Sequence, residues 1–86
     1  GQVIYLASGA TEDDIYAALE TLTAGGTLVL PENEVIAVRH GIRVDVTQRD
    51  VTIDLNGSTL KQAGDVTVLS GFGAMGPVRA VTLDLS

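Results

Sequence analysis

Apolar and polar residues along this chain first follow a helical period and then a period of two. Thr11-Glu12-Asp13-Asp14 has the form of a helix start: a threonine oxygen is placed to accept an orphan N–H, and three acids face the positive end of the helix dipole. Ile15, Ala18, Leu19 and Leu22 then fall at i, i+3, i+4 and i+7, one apolar stripe. Gly25-Gly26 supplies residues able to take the left-handed turn that ends a helix, so a single helix is expected over residues 11–24.

Beyond it, short β-branched or aliphatic runs recur between turn residues: 27–30, 35–38, 42–46, 51–55, 59–62, 66–70 and 81–85. Several alternate, as in Ile42-Arg43-Val44-Asp45-Val46 and Val51-Thr52-Ile53-Asp54-Leu55, so one side of each strand should face a core. Runs starting at 27 and 51, at 35 and 59, and at 42 and 66 are each separated by 24 residues. Three strands repeating as a set predict an all-β parallel solenoid, each coil giving one strand to each of three stacked sheets. The chain divides into a capping helix at 11–24, a first coil at 27–50, a second at 51–77 and the start of a third at 78–86. The run matching 51 begins at 81 instead of 75, so six extra residues are expected as a loop insertion within 71–77.

That insertion contains Gly71-Phe72-Gly73-Ala74-Met75-Gly76, which fits the glycine pattern of a dinucleotide-binding turn. Such a turn must open a helix, with an acid about 20 residues further on. Here Val78 to Leu85 reads as strand instead, so the stretch is read as a glycine-rich loop between coils.

Composition narrows the chemistry. Eighty-six residues form one small domain with an aliphatic core, having one Phe, two Tyr and no Trp. A formal charge of −6 argues against nucleic-acid or anionic-membrane partners. The absence of Cys removes disulfides, thiolate metal sites and Cys nucleophiles. No apolar run approaches the roughly 20 residues of a transmembrane helix. Beginning with Gly and lacking a visible signal peptide, the chain is expected to be a processed form or part of something longer.

The acidic, alanine-rich helix, then Ala24-Gly25-Gly26-Thr27-Leu28-Val29-Leu30-Pro31, then Val51-Thr52-Ile53-Asp54-Leu55-Asn56-Gly57-Ser58-Thr59-Leu60, resembles the opening of right-handed parallel β-helix proteins of the pectate-lyase-like superfamily. The resemblance spans about residues 11 to 70 and implies a helix-capped, three-sheet right-handed β-helix. It also implies a secreted or cell-surface parent that binds or processes acidic polysaccharide by lyase or uronate-epimerase chemistry. The same cap is shared by phage tailspikes and adhesins, so a non-enzymatic structural or adhesion module is the alternative. No activity is expected of this segment alone.

Asp54 and Asp84 hold the same place in VTIDL and VTLDL, with Thr52 and Thr82 beside them, and should stack on the outward face of one sheet. The plain reading of two such residues is solvent-facing charge on an outward strand face; the alternative is that the stacked carboxylates hold Ca²⁺, which in the polysaccharide lyases of the resembled family bridges to the uronate carboxylate. By resemblance too, Gly71, Phe72 and Gly73 are candidates for the edge of a substrate groove. Arg43, Asp45 and Lys61 read as scattered surface charge on the other two sheets, Arg79 as a residue at the start of its strand, and His40 as an exposed turn residue. No other cofactor is called for. An open C-terminal edge near 81–86 should pair with further coils or with a second copy.

Overall fold

The computed structural model describes residues 1–73 and 79–85. It is mostly strand with one helix: β1 (Gln2–Tyr5), α1 (Glu12–Thr21), β2 (Gly26–Val29), β3 (Val35–Val38), β4 (Ile42–Asp45), β5 (Val51–Asp54), β6 (Thr59–Gln62), β7 (Leu69–Phe72) and β8 (Val81–Asp84). The strands form three short parallel sheets, ordered β1-β2-β5-β8, β3-β6 and β4-β7. From β2 to β5, each strand pairs with the one three further along the chain.

Parallel pairing requires a crossover, and here the other two strands of each set supply it. Alternation then decides what is inside. Leu28 and Ile53 from the first sheet, Ile36 and Val38 from the second, and Ile42 and Val44 from the third join one apolar cluster, with Ile15, Ala18 and Leu19 from α1 and Leu22 directly after it. The helical stripe is thus the buried face of α1, as its spacing requires.

Asp14 fastens the start of the helix, its carboxylate accepting the Thr11 N–H at 2.8 Å and closing a capping box. The other end differs from expectation. The helix stops at Thr21 with Leu22 as its C-cap, ahead of the glycines. Gly26 instead begins β2, with φ +138°, where a Cβ would stand 2.2 Å from the Gln2 carbonyl oxygen. Its bare Cα is what lets β1 lie against β2. That first strand, β1, is absent from the sequence reading.

The period also needs correction. Gln2↔Gly26 and Val35↔Thr59 are separated by 24, but Gly26↔Val51 is separated by 25, Ile42↔Leu69 by 27 and Val51↔Val81 by 30. The six extra residues therefore exist but are not one insertion at 71–77. Three fall before β7, where six residues (63–68) replace the three (39–41) between β3 and β4. The remainder fall between β7 and β8.

The run expected as strand at 66–70 is consequently displaced to Leu69–Phe72. Val66 to Val68 are as β-prone as Leu69 to Phe72, but register is set by stacking: Leu69 lies beside Ile42, and the Ile42 N–H donates to the Val68 carbonyl at 2.8 Å. Gly71 and Phe72 thus belong to a strand and not to a loop. Ala74, Met75, Gly76 and Pro77, the rest of the expected loop, lie outside the described residues.

The two strand sets differ in cover. Inward residues of β2–β4 are buried beneath α1 and β5–β7. Beyond them Leu60, Leu69 and Val81 are only partly buried, and Leu83 and Leu85 are 42% and 72% exposed.

Candidate functional site

The outward face of the four-stranded sheet carries the candidate carboxylates. Odd positions of β5 face in, so Thr52 and Asp54 face out. The register makes Asp54 the direct partner of Asp84 and Thr52 the partner of Thr82 and Thr27, with Val29 and Tyr5 continuing the aspartate column. Neighbouring strands lie about 4.8 Å apart, so the two carboxylates can approach a common ion. Like charges directly opposite are unfavourable unless something offsets them. Asp54 has one local role already: its Oδ1 accepts the Asn56 N–H at 2.9 Å, closing the turn after β5. Among the described residues, no group of three or more His, Cys, Asp or Glu side chains is gathered to hold a metal ion. A divalent cation at Asp54 and Asp84 would need the threonine hydroxyls, backbone carbonyls or water to complete its oxygen shell.

At the other end of the same strands lies an open groove of about 620 Å³, bordered by Thr27, Thr52, Gln48, Asp50 and Arg79. Arg79 is exposed just ahead of β8, where its N–H donates to the Val46 carbonyl at 2.9 Å. Asp50 anchors the same junction, accepting the Ala80 N–H at 2.9 Å. The structure therefore brings Thr52 to the groove, in the column next to the aspartates, and sets Arg79 at the strand start, as its position in the chain implied.

The remaining candidates lie elsewhere. Lys61 is exposed on β6, partnering Ala37. Arg43 and Asp45 lie on the outward face of β4, partnering Ser70 and Phe72. The Arg43 guanidinium sits 4.6 Å from the centre of the Phe72 ring, a cation–π contact worth about 0.5–1 kcal/mol where exposed. Gly71, beside Val44, is exposed on β7, and a Cβ there would come within 2.9 Å of the Val81 side chain. Gly73 follows β7 directly. His40 is exposed in the turn between β3 and β4.

The polar residues that do most for the architecture escaped the sequence reading as sites. Glu12 reads in sequence only as a dipole-facing acid, yet it is 6% exposed and its carboxylate accepts the Arg39 and His40 N–H groups at 2.8 and 3.1 Å. Burial pushes its pKa up, but the N–H groups of Arg39 and His40, the nearby His40 charge and the Gly41 N–H outweigh this and hold it below the usual glutamate value. Tyr16 donates its hydroxyl to the Gly41 carbonyl, and burial raises its pKa. Arg49 reaches across the fold to the end of α1, donating from Nη1 to the Leu19 and Leu22 carbonyls at 2.9 and 2.7 Å, and from Nε to the Asp45 carbonyl. Since the last turn of α1 has no basic residue of its own, Arg49 supplies the cation that complements its dipole. Buried Ser58 donates to the Pro31 carbonyl and accepts the Glu34 N–H at 3.0 Å, tying together the turns after β2 and β5. Apart from the Asp45 carbonyl, four residues before Arg49, these partners are some 24 to 30 residues away, so no local motif announces them.

No family model, curated protein or solved structure matches the chain.

Proposed function

We propose that this chain is the helix-capped opening of a right-handed parallel β-helix, and that the solenoid it begins binds or processes extracellular acidic polysaccharide at the cell surface or outside the cell. The observation that carries the solenoid reading is the pairing of each strand from β2 to β5 with the third strand after it, in parallel, around one apolar cluster. Under this reading α1 closes one end of the stack, β2–β4 form the first coil and β5–β7 the second. The segment acts chiefly as scaffold. Its ligand-facing element is the Asp54–Asp84 pair with Thr52 and Thr82, which would present Ca²⁺ to a uronate carboxylate.

A calcium-dependent melting experiment tests this. A site with a Kd of about 1 mM, in the range of extracellular modules, gains about 1.4 kcal/mol at 10 mM Ca²⁺, which for a domain of this size raises Tm by about 6–11 °C. Asp54→Asn should abolish the rise, and oligogalacturonate should bind only with Ca²⁺ present. Coincident melting curves with and without Ca²⁺ would remove the metal site and the polysaccharide reading built on it.

A second reading, a non-enzymatic structural or adhesion module, is favoured by the partly covered Leu60, Leu69 and Val81 and the exposed Leu83 and Leu85 at the end of the second strand set. Apolar side chains in that position suit burial by further coils or by another copy of the chain. Sedimentation that shifts with protein concentration, together with no response to Ca²⁺, would favour it.

A further inference from the structure

Two carboxylates in one groove join the N-terminal segment and α1 to the strands. The groove, about 510 Å³, is bordered by Thr11, Glu12 and Asp13 on one side and by Glu34, Ile36 and His40 on the other. Glu12 belongs to the helix and reaches the β3–β4 turn, accepting the Arg39 and His40 N–H groups. Glu34 belongs to the turn before β3 and reaches the opposite way, accepting the Ser8 hydroxyl and, at 3.0 Å, the Gly9 N–H. Every partner in both clusters is a donor. An ionised carboxylate offers only acceptors and suits them; a protonated one places an O–H among N–H groups and loses the charge-assisted part of each bond.

Within the segment itself the Asp14 carboxylate accepts the Thr11 N–H; the fastenings of α1 beyond its first turn are of a different kind. Tyr16 donates to a carbonyl near the middle of the helix, and Arg49 donates to carbonyls at its far end. Neither changes charge between neutral and moderately acid pH. The titratable and charged groups facing the latch are Asp13, Asp14 and Tyr16 on α1, Arg39 and His40 on the β3–β4 turn, and Arg43 on β4.

We propose that Glu12 and Glu34 form an acid-released latch, so that acidification frees the segment 8–11 and the first turn of α1 while β2–β7 stay paired and Arg49 retains the helix by its other end. The apolar end of the strand stack is closed at neutral pH and accessible in acid. The sign follows from both carboxyls lying below the ordinary glutamate value, Glu12 through backbone N–H bonds that outweigh its burial, and Glu34 through the Ser8 hydroxyl and Gly9 N–H. Folded-state values below the unfolded one of about 4.3 mean that the latch contributes fully above that pH and is lost as pH falls through the folded values.

Residue-resolved amide exchange, expressed as protection factors, tests the proposal on the whole chain. Protection at Gly9, Arg39, His40 and Ile15 should fall about twofold or more between pH 6 and pH 3, while Leu28, Val51 and Ile53 keep theirs. Glu12→Gln, which keeps one acceptor oxygen for Arg39 but loses the charge and turns an NH₂ toward His40, should produce the loss at His40 already at pH 6. Glu34→Gln, at a position with less buried contact, should produce it at Gly9 alone. Loss of protection at all these amides with a single midpoint, or variants that keep wild-type protection at pH 6, would overturn the latch.

Discussion

Replacing Ile53 by Ala is expected to lower the unfolding free energy by about 2–5 kcal/mol. Ile53 is 1% exposed and lies between Leu28 and Leu83 in the inward column of the four-stranded sheet. β2 is held between β1 and β5 and β8 is paired to β5, so the walls close in only partly, and the cavity contribution adds to the lost transfer energy. For a chain of this length the whole stability is about 4–13 kcal/mol, so this one substitution removes a large fraction. Urea titration should show an earlier midpoint with unchanged slope. Val35→Ala, at a position 67% exposed, should change stability by no more than about 0.5 kcal/mol. Equal losses in the two variants would contradict the assignment of inward and outward faces.

Arg49→Ala is expected to cost about 2–4 kcal/mol, because bonds from a guanidinium to carbonyls are each worth about 1.5–3 kcal/mol and do not add fully. Its fork holds three carbonyls from two elements, the end of α1 and the end of β4. Arg49→Lys should recover less than half of the loss, since a single ammonium keeps the favourable charge at the helix C-terminus without spanning all three acceptors. Far-ultraviolet circular dichroism with thermal melting distinguishes the variants. A fully stable Arg49→Lys protein would mean that charge alone, and not the fork, secures the helix.

Much of the fold is legible locally because burial repeats with the backbone. Ile15, Ala18, Leu19 and Leu22 can share a face only on a helix, and Val51 and Ile53 only on a strand. The Asp54↔Asp84 partnership was legible for the same reason, since VTIDL and VTLDL have one pattern and stack in one register. Where patterns are equal, the reading fails. Val66-Thr67-Val68 and Leu69-Ser70-Gly71 compete for one strand position, and the contest is settled by Ile42 and Val44 on the neighbouring strand. The glycine stretch misled in the same way: Gly71 looks like a turn residue, but it pairs with Val44 within β7, where a Cβ would crowd the Val81 side chain. β1 is not legible because a short apolar run has no periodicity of its own, and its place depends on the bare Cα of Gly26 beneath it.

The amino-acid sequence by itself determined one helix, a succession of short strands with defined inner faces, an aliphatic interior and an acidic surface, because each follows from side-chain period and composition. Only the tertiary structure decided the register of the third sheet, the division of the six extra residues between two turns, and the work of Glu12, Glu34 and Arg49. Each of these depends on groups some 25 to 30 residues apart in the chain. Parallel pairing returns such distant residues to one another at every set of strands, and that return cannot be read from any short window.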